Sequence, residues 1–531
     1  MVSPPRSRNA EGSTLAVLGL AALILYCLNL GGLPLRDWDE GTYGIVAREM
    51  VQSGNWLHPT LAGQPFEFKP PLALWLIASS YTLIGVSEWS SRLPLAMISA
   101  MAVPLLYAVG RQLFTQRSPA LLSALVYLTC LPVLRHGRLA MMDGCTISFF
   151  LLMLLCLLKA RRSPLWAIGA GISLGLILMT KGILGLLLGA IAVVFMVLQG
   201  ELKIFFNPYL WLGAVLGLAP VVAWYLAQGL QYGGEFWRIH FLNQSFDRVW
   251  SAVDGNTAPP WMYLKEIIEY YWPWAIFLPG GLWLSWQQRQ TAWGTLILVG
   301  TVGFLGIISV MTTKLPWYVL PVYPFLALAV GAQLALAQDT FTRTRKRAYP
   351  IAWSGLLLLL ALVGLVGGTA IAWLETRPLL FGLGIVLFLT MGTSAYLTYK
   401  SDRQFVWVLL GGTYLSLAIF VSSNVWLWEL NEAFAVKPVA QLIKAHTPAN
   451  TTVYTSFAYS RPSLDFYSQR PVVAVKPTEL QPLSPAKPYL LVDPATLKQL
   501  DSSKYQTLGT AENLTLIAVK PKSGLVSTGQ P

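Results

Sequence analysis

Charge is what this chain has least of. Only 11% of its 531 residues are Asp, Glu, Lys or Arg, against roughly 25% in a soluble globular protein, and that scarcity excludes an ordinary soluble enzyme. Cysteine and histidine are sparse too, at four residues each. Cys27, Cys130, Cys145 and Cys156 all fall in apolar segments without paired metal spacing, so they read as small buried apolar side chains, and neither a disulfide framework nor a zinc site is indicated. His58, His136, His240 and His446 lie too far apart to form a local ligand motif. Lys and Arg outnumber Asp and Glu by 37 to 24, but they are dispersed in short loop clusters, which argues against a nucleic-acid partner.

What the chain has in abundance is apolar length. Hydrophobic residues make up 55% of it, gathered in separate runs of about 18 to 24 residues, each long enough as a helix to cross roughly 30 Å of hydrocarbon. The pattern predicts an all-α polytopic membrane protein with roughly 13 spans, near residues 14–32, 93–110, 119–135, 141–158, 164–180, 182–198, 209–228, 266–286, 291–311, 317–337, 351–374, 379–398 and 404–425. Arg6 and Arg8 precede the first run as in a signal sequence, but the run is long and lacks a small-residue cleavage pattern, so it reads as an uncleaved first span. With the N-terminus cytoplasmic, basic clusters such as Lys159-Ala-Arg-Arg162 and Arg343-Thr-Arg-Lys-Arg347 fall in inner loops, while Asp37, Asp39, Glu40, Glu67, Asp143 and Asp247 fall outside. The expected location is the plasma (inner) membrane, with the chemistry and the C-terminus on the outer side.

Two outer loops are long. In the first, residues 33–92, Tyr43, Val46, Ala47 and Met50 recur at helical spacing, predicting a short helix from about Asp39–Glu40 to Gly54. A second helix is expected from Pro70–Pro71 through Ile84, too short to span and so interfacial. The second long loop, residues 229–265, carries Arg238, His240, Asn243, Asp247 and Arg248. After about Trp428 the composition turns polar. A helix at Val439–Ala445 and β-like runs at 452–456, 471–475, 489–493 and 514–519 predict a small extracytoplasmic α/β domain, residues 429–531, behind a membrane domain, residues 1–428.

The residues with chemistry lie at the outer ends of the spans. In Arg36-Asp-Trp-Asp-Glu40, an Asp ahead of an amphipathic helix serves ordinarily as an N-cap, while clustered carboxylates could also orient or deprotonate an acceptor group. Asp143 stands at the edge of an apolar helix, where an acid must be paired or line a wet cavity; Arg138 and Arg135 are close enough in sequence for a structural ion pair. Lys181 and Lys314, each beside apolar spans, could be interfacial anchors whose amines reach water. Together Lys69, Lys181, Arg248 and Lys314 could ring the carboxylates with cations suited to a lipid-linked phosphate.

The segments Asp39-Glu-Gly-Thr-Tyr-Gly-Ile-Val-Ala-Arg-Glu-Met50, Lys69-Pro-Pro-Leu72, Ser91-Arg-Leu-Pro94, Arg138-Leu-Ala-Met-Met-Asp143, Thr180-Lys-Gly182, Pro259-Pro-Trp261 and Lys314-Leu-Pro-Trp-Tyr318 follow one another in a pattern that resembles the integral-membrane glycosyltransferases related to the protein O-mannosyltransferases and the lipid A aminoarabinose transferases. The resemblance runs to about residue 337. It implies a GT-C architecture, a polyprenyl-phosphate sugar donor, a lipid, glycan or protein acceptor, and inverting transfer on the outer face. It further implies Asp39 and Asp143 as catalytic acids, Lys69 and Arg248 as holding the donor phosphate, and Tyr318 as a cavity residue; Glu40, Tyr43, Lys181 and Lys314 are the further candidate substrate contacts. Two positions depart from the aminoarabinose pattern. Thr42 stands where those transferases have Arg, and Phe68 where they have an acid before the lysine; the nearby acid here is Glu67. No cofactor is called for by the residues themselves, and for a divalent metal the candidate ligands are Glu67 and His240. The reading from another class is a membrane transporter or lipid flippase, which would need neither the structured first loop nor a soluble C-terminal part.

Overall fold

Apolar length sets where the chain can cross a bilayer, and proline and glycine set where it cannot. The computed structural model describes residues 8–520 other than 38, 252–254, 345–348, 376, 427–434 and 481–485, and the side chain of Arg248 also lies outside the described residues. Among the described residues ten helices are long and apolar enough to span, the first Ala10–Cys27 and the last Phe405–Ser422. Of the three remaining expected spans, two are broken and one is short. The 119–135 run becomes Arg117–Leu128 and Leu131–Gly137, bent by 61°, with Pro132 opening the second piece; counted as one crossing, it makes eleven. The 182–198 run follows Gly182, whose positive φ of 58° ends the preceding helix, and yields only the 15-residue helix Leu184–Leu198, short of the roughly 20 residues a span needs. The 266–286 run is split at Pro273, which has no N–H to donate, into Met262–Tyr270, a 3₁₀ turn and Leu278–Gln287.

The first loop forms the two expected short helices, Asp39–Ser53 and Leu72–Ile84. Tyr43, Val46, Ala47 and Met50 pack with Ala73, Leu74, Ile77 and Ala78 of the second helix and with Ala140, Met142 and Cys145 of the bundle, so the loop is seated on the membrane part through its own apolar stripe. Between them lies a hairpin of two-residue strands, Thr60–Leu61 and Gln64–Pro65. Glu49 holds its turn, accepting from the Thr60 hydroxyl at 2.5 Å and the Ala62 N–H at 2.7 Å. The span that follows begins with a capping box between Ser87 and Ser90, which fixes where its first turns project Arg92.

The C-terminal part carries a five-stranded sheet in the spatial order Val472–Ala474, Val453–Thr455, Tyr489–Val492, Leu514–Val519, Tyr505–Ala511; the first three are parallel and the last two join antiparallel. The helix Val436–His446 covers it with Val436, Val439, Ala440 and Ile443. Four of the five strands lie in the expected runs. The fifth, Tyr505–Ala511, is a half-exposed edge strand without an apolar face. A seven-residue helix without a sequence signal, Pro462–Ser468, packs against Asp39–Ser53.

Asp465 on that short helix gives a pH test of the packing. Its Oδ1 is closed off from solvent, and burial pushes the carboxyl up to about 8, with Asp37 adding to the rise and Arg48 opposing it. The folded chain thus keeps a proton that the unfolded chain releases near pH 4, so stability falls as pH rises from about 4 to 8 and is level above. Asp465→Asn is expected to remove that slope and to raise stability at pH 7 by roughly 4 kcal/mol. Thermal unfolding of the purified protein in detergent across this range measures it; an unchanged slope in the variant would assign the pH dependence elsewhere.

Candidate active site

Arg36-Asp-Trp-Asp-Glu40 presents three carboxylates, and the fold sends each to a different place. Asp37 turns to the C-terminal part: its Oδ2 is 2.6 Å from Arg461 Nε, and its Oδ1 accepts from the Ser463 N–H at 3.1 Å and from the Ser463 hydroxyl. Glu40, expected among the substrate contacts, is instead wholly enclosed, at 0% exposure. Arg92 Nε and Nη2 donate to its two oxygens at 2.8 Å each, and the N–H groups of Arg36 and Ala140 add bonds of 2.9 and 2.7 Å. Burial alone would raise this carboxyl, but the Arg92 charge and hydrogen bonds outweigh it and hold Glu40 below the usual carboxylate range. A carboxylate with these four bonds has no lone pair left for a substrate. Asp39 differs from both. It opens the helix half-buried, and its Oδ1 accepts from the Tyr43 hydroxyl one turn on at 3.1 Å.

The Glu40–Ala140 bond brings the Arg138–Asp143 segment beside Asp39. Asp143 begins the Asp143–Ala160 helix and pairs with Lys181, which ends Ala167–Lys181. The local pairing with Arg138 is not made. Arg138 donates instead to the carbonyls of Leu25, Tyr26 and Leu28 at 2.7 to 3.0 Å, capping the exposed carbonyl end of the first helix. Lys181 is thus no snorkelling anchor; its ammonium lies 6.0 Å from the Tyr318 ring. The neighbouring Trp317 ring lies under Arg36 at 5.8 Å. Asp143 is thus tied to Tyr318 through Lys181, and the turn that carries Asp39 is tied to the neighbouring Trp317 through Arg36.

The segment that carries Lys69 is tied to His240 through Glu67. The His240 Nδ1 lies 2.9 Å from the Glu67 carbonyl oxygen and its Nε2 lies 2.8 Å from the Tyr225 hydroxyl. Burial pushes the imidazole down to about 4, the Glu67 carbonyl partly offsetting it and the Lys69 charge adding to it, so the ring is neutral at physiological pH: Nδ1–H donates to Glu67 and Nε2 accepts from Tyr225. A Cβ on Gly182 would come within 3.7 Å of both Pro70 and His240, which puts the Lys69–Pro70 turn next to Lys181–Gly182. Lys314, 6% exposed, turns its amine onto the Met311 carbonyl. The side chain of Arg248, the other expected phosphate contact, lies outside the described residues.

As metal ligands Glu67 and His240 do not make a donor set. Both imidazole nitrogens are engaged by protein groups, Glu67 meets the ring through its carbonyl and not its carboxylate, and among the described residues no three His, Cys, Asp or Glu side chains converge as a divalent ion requires.

The family model described as dolichyl-phosphate-mannose-protein mannosyltransferase matches residues 68–226. An undecaprenyl phosphate-alpha-4-amino-4-deoxy-L-arabinose arabinosyl transferase of Erwinia tasmaniensis is 30% identical over 383 residues, which are 69% of this chain and 68% of that protein. The chain belongs to this family of membrane glycosyltransferases. The transferase of the same description from Edwardsiella ictaluri is 29% identical over 452 residues, 82% of this chain and 76% of that protein. The crystal structure of ArnT from Cupriavidus metallidurans bound to undecaprenyl phosphate superposes with a TM-score of 0.77 at 19% identity, over 96% of this chain and 98% of that one; at that identity the likeness concerns the fold, which is GT-C. The chain is thus an integral membrane enzyme, and the transporter alternative is not favoured.

Three side chains around this transferase's Asp39 were not singled out by sequence: Arg36, Arg92 and Arg461. Arg92 closes the expected outer loop, and only the helix start at Glu88 places it inside a span, where an arginine must find a partner. Arg461 had none, because its partner is 424 residues away.

Proposed function

We propose that this glycosyltransferase moves a monosaccharide from a polyprenyl-phosphate carrier, of the undecaprenyl phosphate class named for its relatives, to a lipid, glycan or protein acceptor. The reaction takes place on the outer face of the inner membrane, with inversion, and the N-terminus lies in the cytoplasm. The observation that carries the reading is the division of labour among the carboxylates: Asp37 and Glu40 are consumed by arginines, while Asp39 is left half-buried with a tyrosine hydroxyl next to a segment whose Asp143 is paired with a lysine. In the reacting complex the acceptor oxygen attacks the anomeric carbon while the bond from that carbon to the lipid phosphate breaks. Asp39 orients a hydroxyl acceptor and takes its proton. Lys69, together with Arg248 and the Asp143-held Lys181, meets the charge that grows on the departing phosphate, and Tyr318 and Lys314 shape the wall beside it.

The test compares cells lacking the protein with cells given wild type or Asp39→Asn at equal membrane abundance, profiling envelope lipids, glycans and glycoproteins by mass spectrometry. A sugar-mass increment restored only by wild type is the expected result, and it names the acceptor. No difference in any fraction with a folded wild-type protein would overturn the reading.

A further inference from the structure

The residues on either side of Asp39 are held by a single short helix of the C-terminal part. Leu35 N–H donates to the Tyr467 hydroxyl at 2.7 Å, and that hydroxyl donates in turn to Glu88 at 3.1 Å. Asp37 takes Arg461 and Ser463, and the ion pair is enclosed, at 3% and 4% exposure. A Cβ on Gly41 would lie 2.7 Å from the Ser463 nitrogen and 2.9 Å from the Pro462 carbonyl carbon, so the two backbones meet directly there. One turn on, Gly44 leaves room for the Phe466 ring, and Arg48 Nη1 donates to the Phe466 carbonyl at 2.7 Å. Glu40, on the other side, is fixed to Arg92 of the membrane bundle. Asp39 therefore stands between two anchors, one in the bundle and one in residues 461–467.

An apolar patch would suffice to dock a C-terminal module. Burying an arginine–aspartate pair adds little net stability over such a patch but does fix one geometry, and a reacting carboxylate must be held within about half an ångström. We infer that Arg461 and Ser463 are positioning residues for Asp39: the C-terminal part works as a clamp that sets the acceptor-side carboxylate against the donor-side wall. The inference rests on the reading of Asp39 as the acceptor-side group.

The experiment uses the full chain and two readouts: the initial rate of sugar incorporation in membranes at equal protein abundance, and binding of undecaprenyl phosphate alone to the purified protein. Arg461→Gln is expected to slow incorporation roughly tenfold or more with undecaprenyl phosphate affinity within about twofold of wild type, since the clamp is on the acceptor side. Arg461→Lys is expected to recover at least about half of the rate, because an ammonium can still meet Asp37, and Ser463→Ala to lose roughly threefold. Incorporation within twofold of wild type in Arg461→Gln, while Asp39→Asn is inactive, overturns the clamp and leaves the functional reading standing. Equal loss of incorporation and undecaprenyl phosphate binding also overturns it, since the pair then serves the whole fold. Full activity of Asp39→Asn overturns the functional reading and the clamp with it. If Arg461→Gln fails to accumulate, Ser463→Ala decides on the same terms.

Discussion

Asp39→Asn is expected to lower sugar transfer roughly 100-fold or more when the acceptor is a hydroxyl, with undecaprenyl phosphate binding within about twofold of wild type. Asparagine has the same shape, and its carbonyl oxygen can still accept from the Tyr43 hydroxyl that holds Asp39 at 3.1 Å, so the variant removes the negative charge and the proton acceptor but little else. The size of the fall also reports on the acceptor. A phosphate acceptor arrives ionised and needs no base, so Asp39 would only position it, and the fall would be nearer tenfold. Tyr43→Phe, which keeps the carboxylate and loses one orienting bond, is the control and should lose only severalfold. Single-turnover measurements with saturating donor separate these outcomes. Undiminished transfer in both Asp39→Asn and Asp143→Asn would remove the carboxylates from the mechanism altogether.

The three acids of Arg36-Asp-Trp-Asp-Glu40 show how far sequence carries and where it stops. Helical spacing of Tyr43, Val46, Ala47 and Met50 placed the Asp39–Ser53 helix, and Pro70–Pro71 placed the start of Leu72–Ile84, because both signals are local. Which acid stays available is not local: Glu40 is claimed by Arg92 from 52 residues away and Asp37 by Arg461 from 424. In the same way, sequence offered Asp143 a partner at Arg138, but the bent span and the first helix draw that guanidinium to the carbonyls of Leu25, Tyr26 and Leu28, and Lys181, 38 residues on, takes the acid. Span counting fails for a related reason. Hydropathy adds up residues without regard to hydrogen bonds, so it runs through Pro132 and Pro273, where the helical ladder ends, and it counts as a span the 15-residue helix Leu184–Leu198 that follows Gly182. The Pro462–Ser468 helix is too short to show a period.

Arg92→Met is expected to be among the most destabilising single changes near the site, at about 3 to 5 kcal/mol, because it leaves the Glu40 carboxylate enclosed without its cation. Glu40→Gln should cost less: its amide oxygen can still accept from one of the two N–H groups that now bond different carboxylate oxygens, Ala140 at 2.7 Å or Arg36 at 2.9 Å, and Arg92 keeps the carbonyls of Leu30, Leu33 and Pro34 as acceptors. The double variant Glu40→Gln with Arg92→Met removes both charges together and should recover a large part of the Arg92→Met loss, giving a strongly non-additive cycle. The pH dependence fixes the sign independently. In the wild type the pair holds Glu40 below its ordinary value, so its contribution is present above the unfolded carboxyl value of about 4.3 and is lost as pH falls through the lower folded value. In Arg92→Met burial is opposed only by the N–H bonds of Ala140 and Arg36 and raises the Glu40 carboxyl, so acidification neutralises it and the variant regains stability where the wild type loses it. Unfolding midpoints in detergent from about pH 3 to 7 measure both. Parallel curves for the two proteins would mean that Glu40 is stabilised by the backbone N–H groups alone, and that the bundle-side anchor of the Asp39 turn is the Ala140 strap and not the arginine.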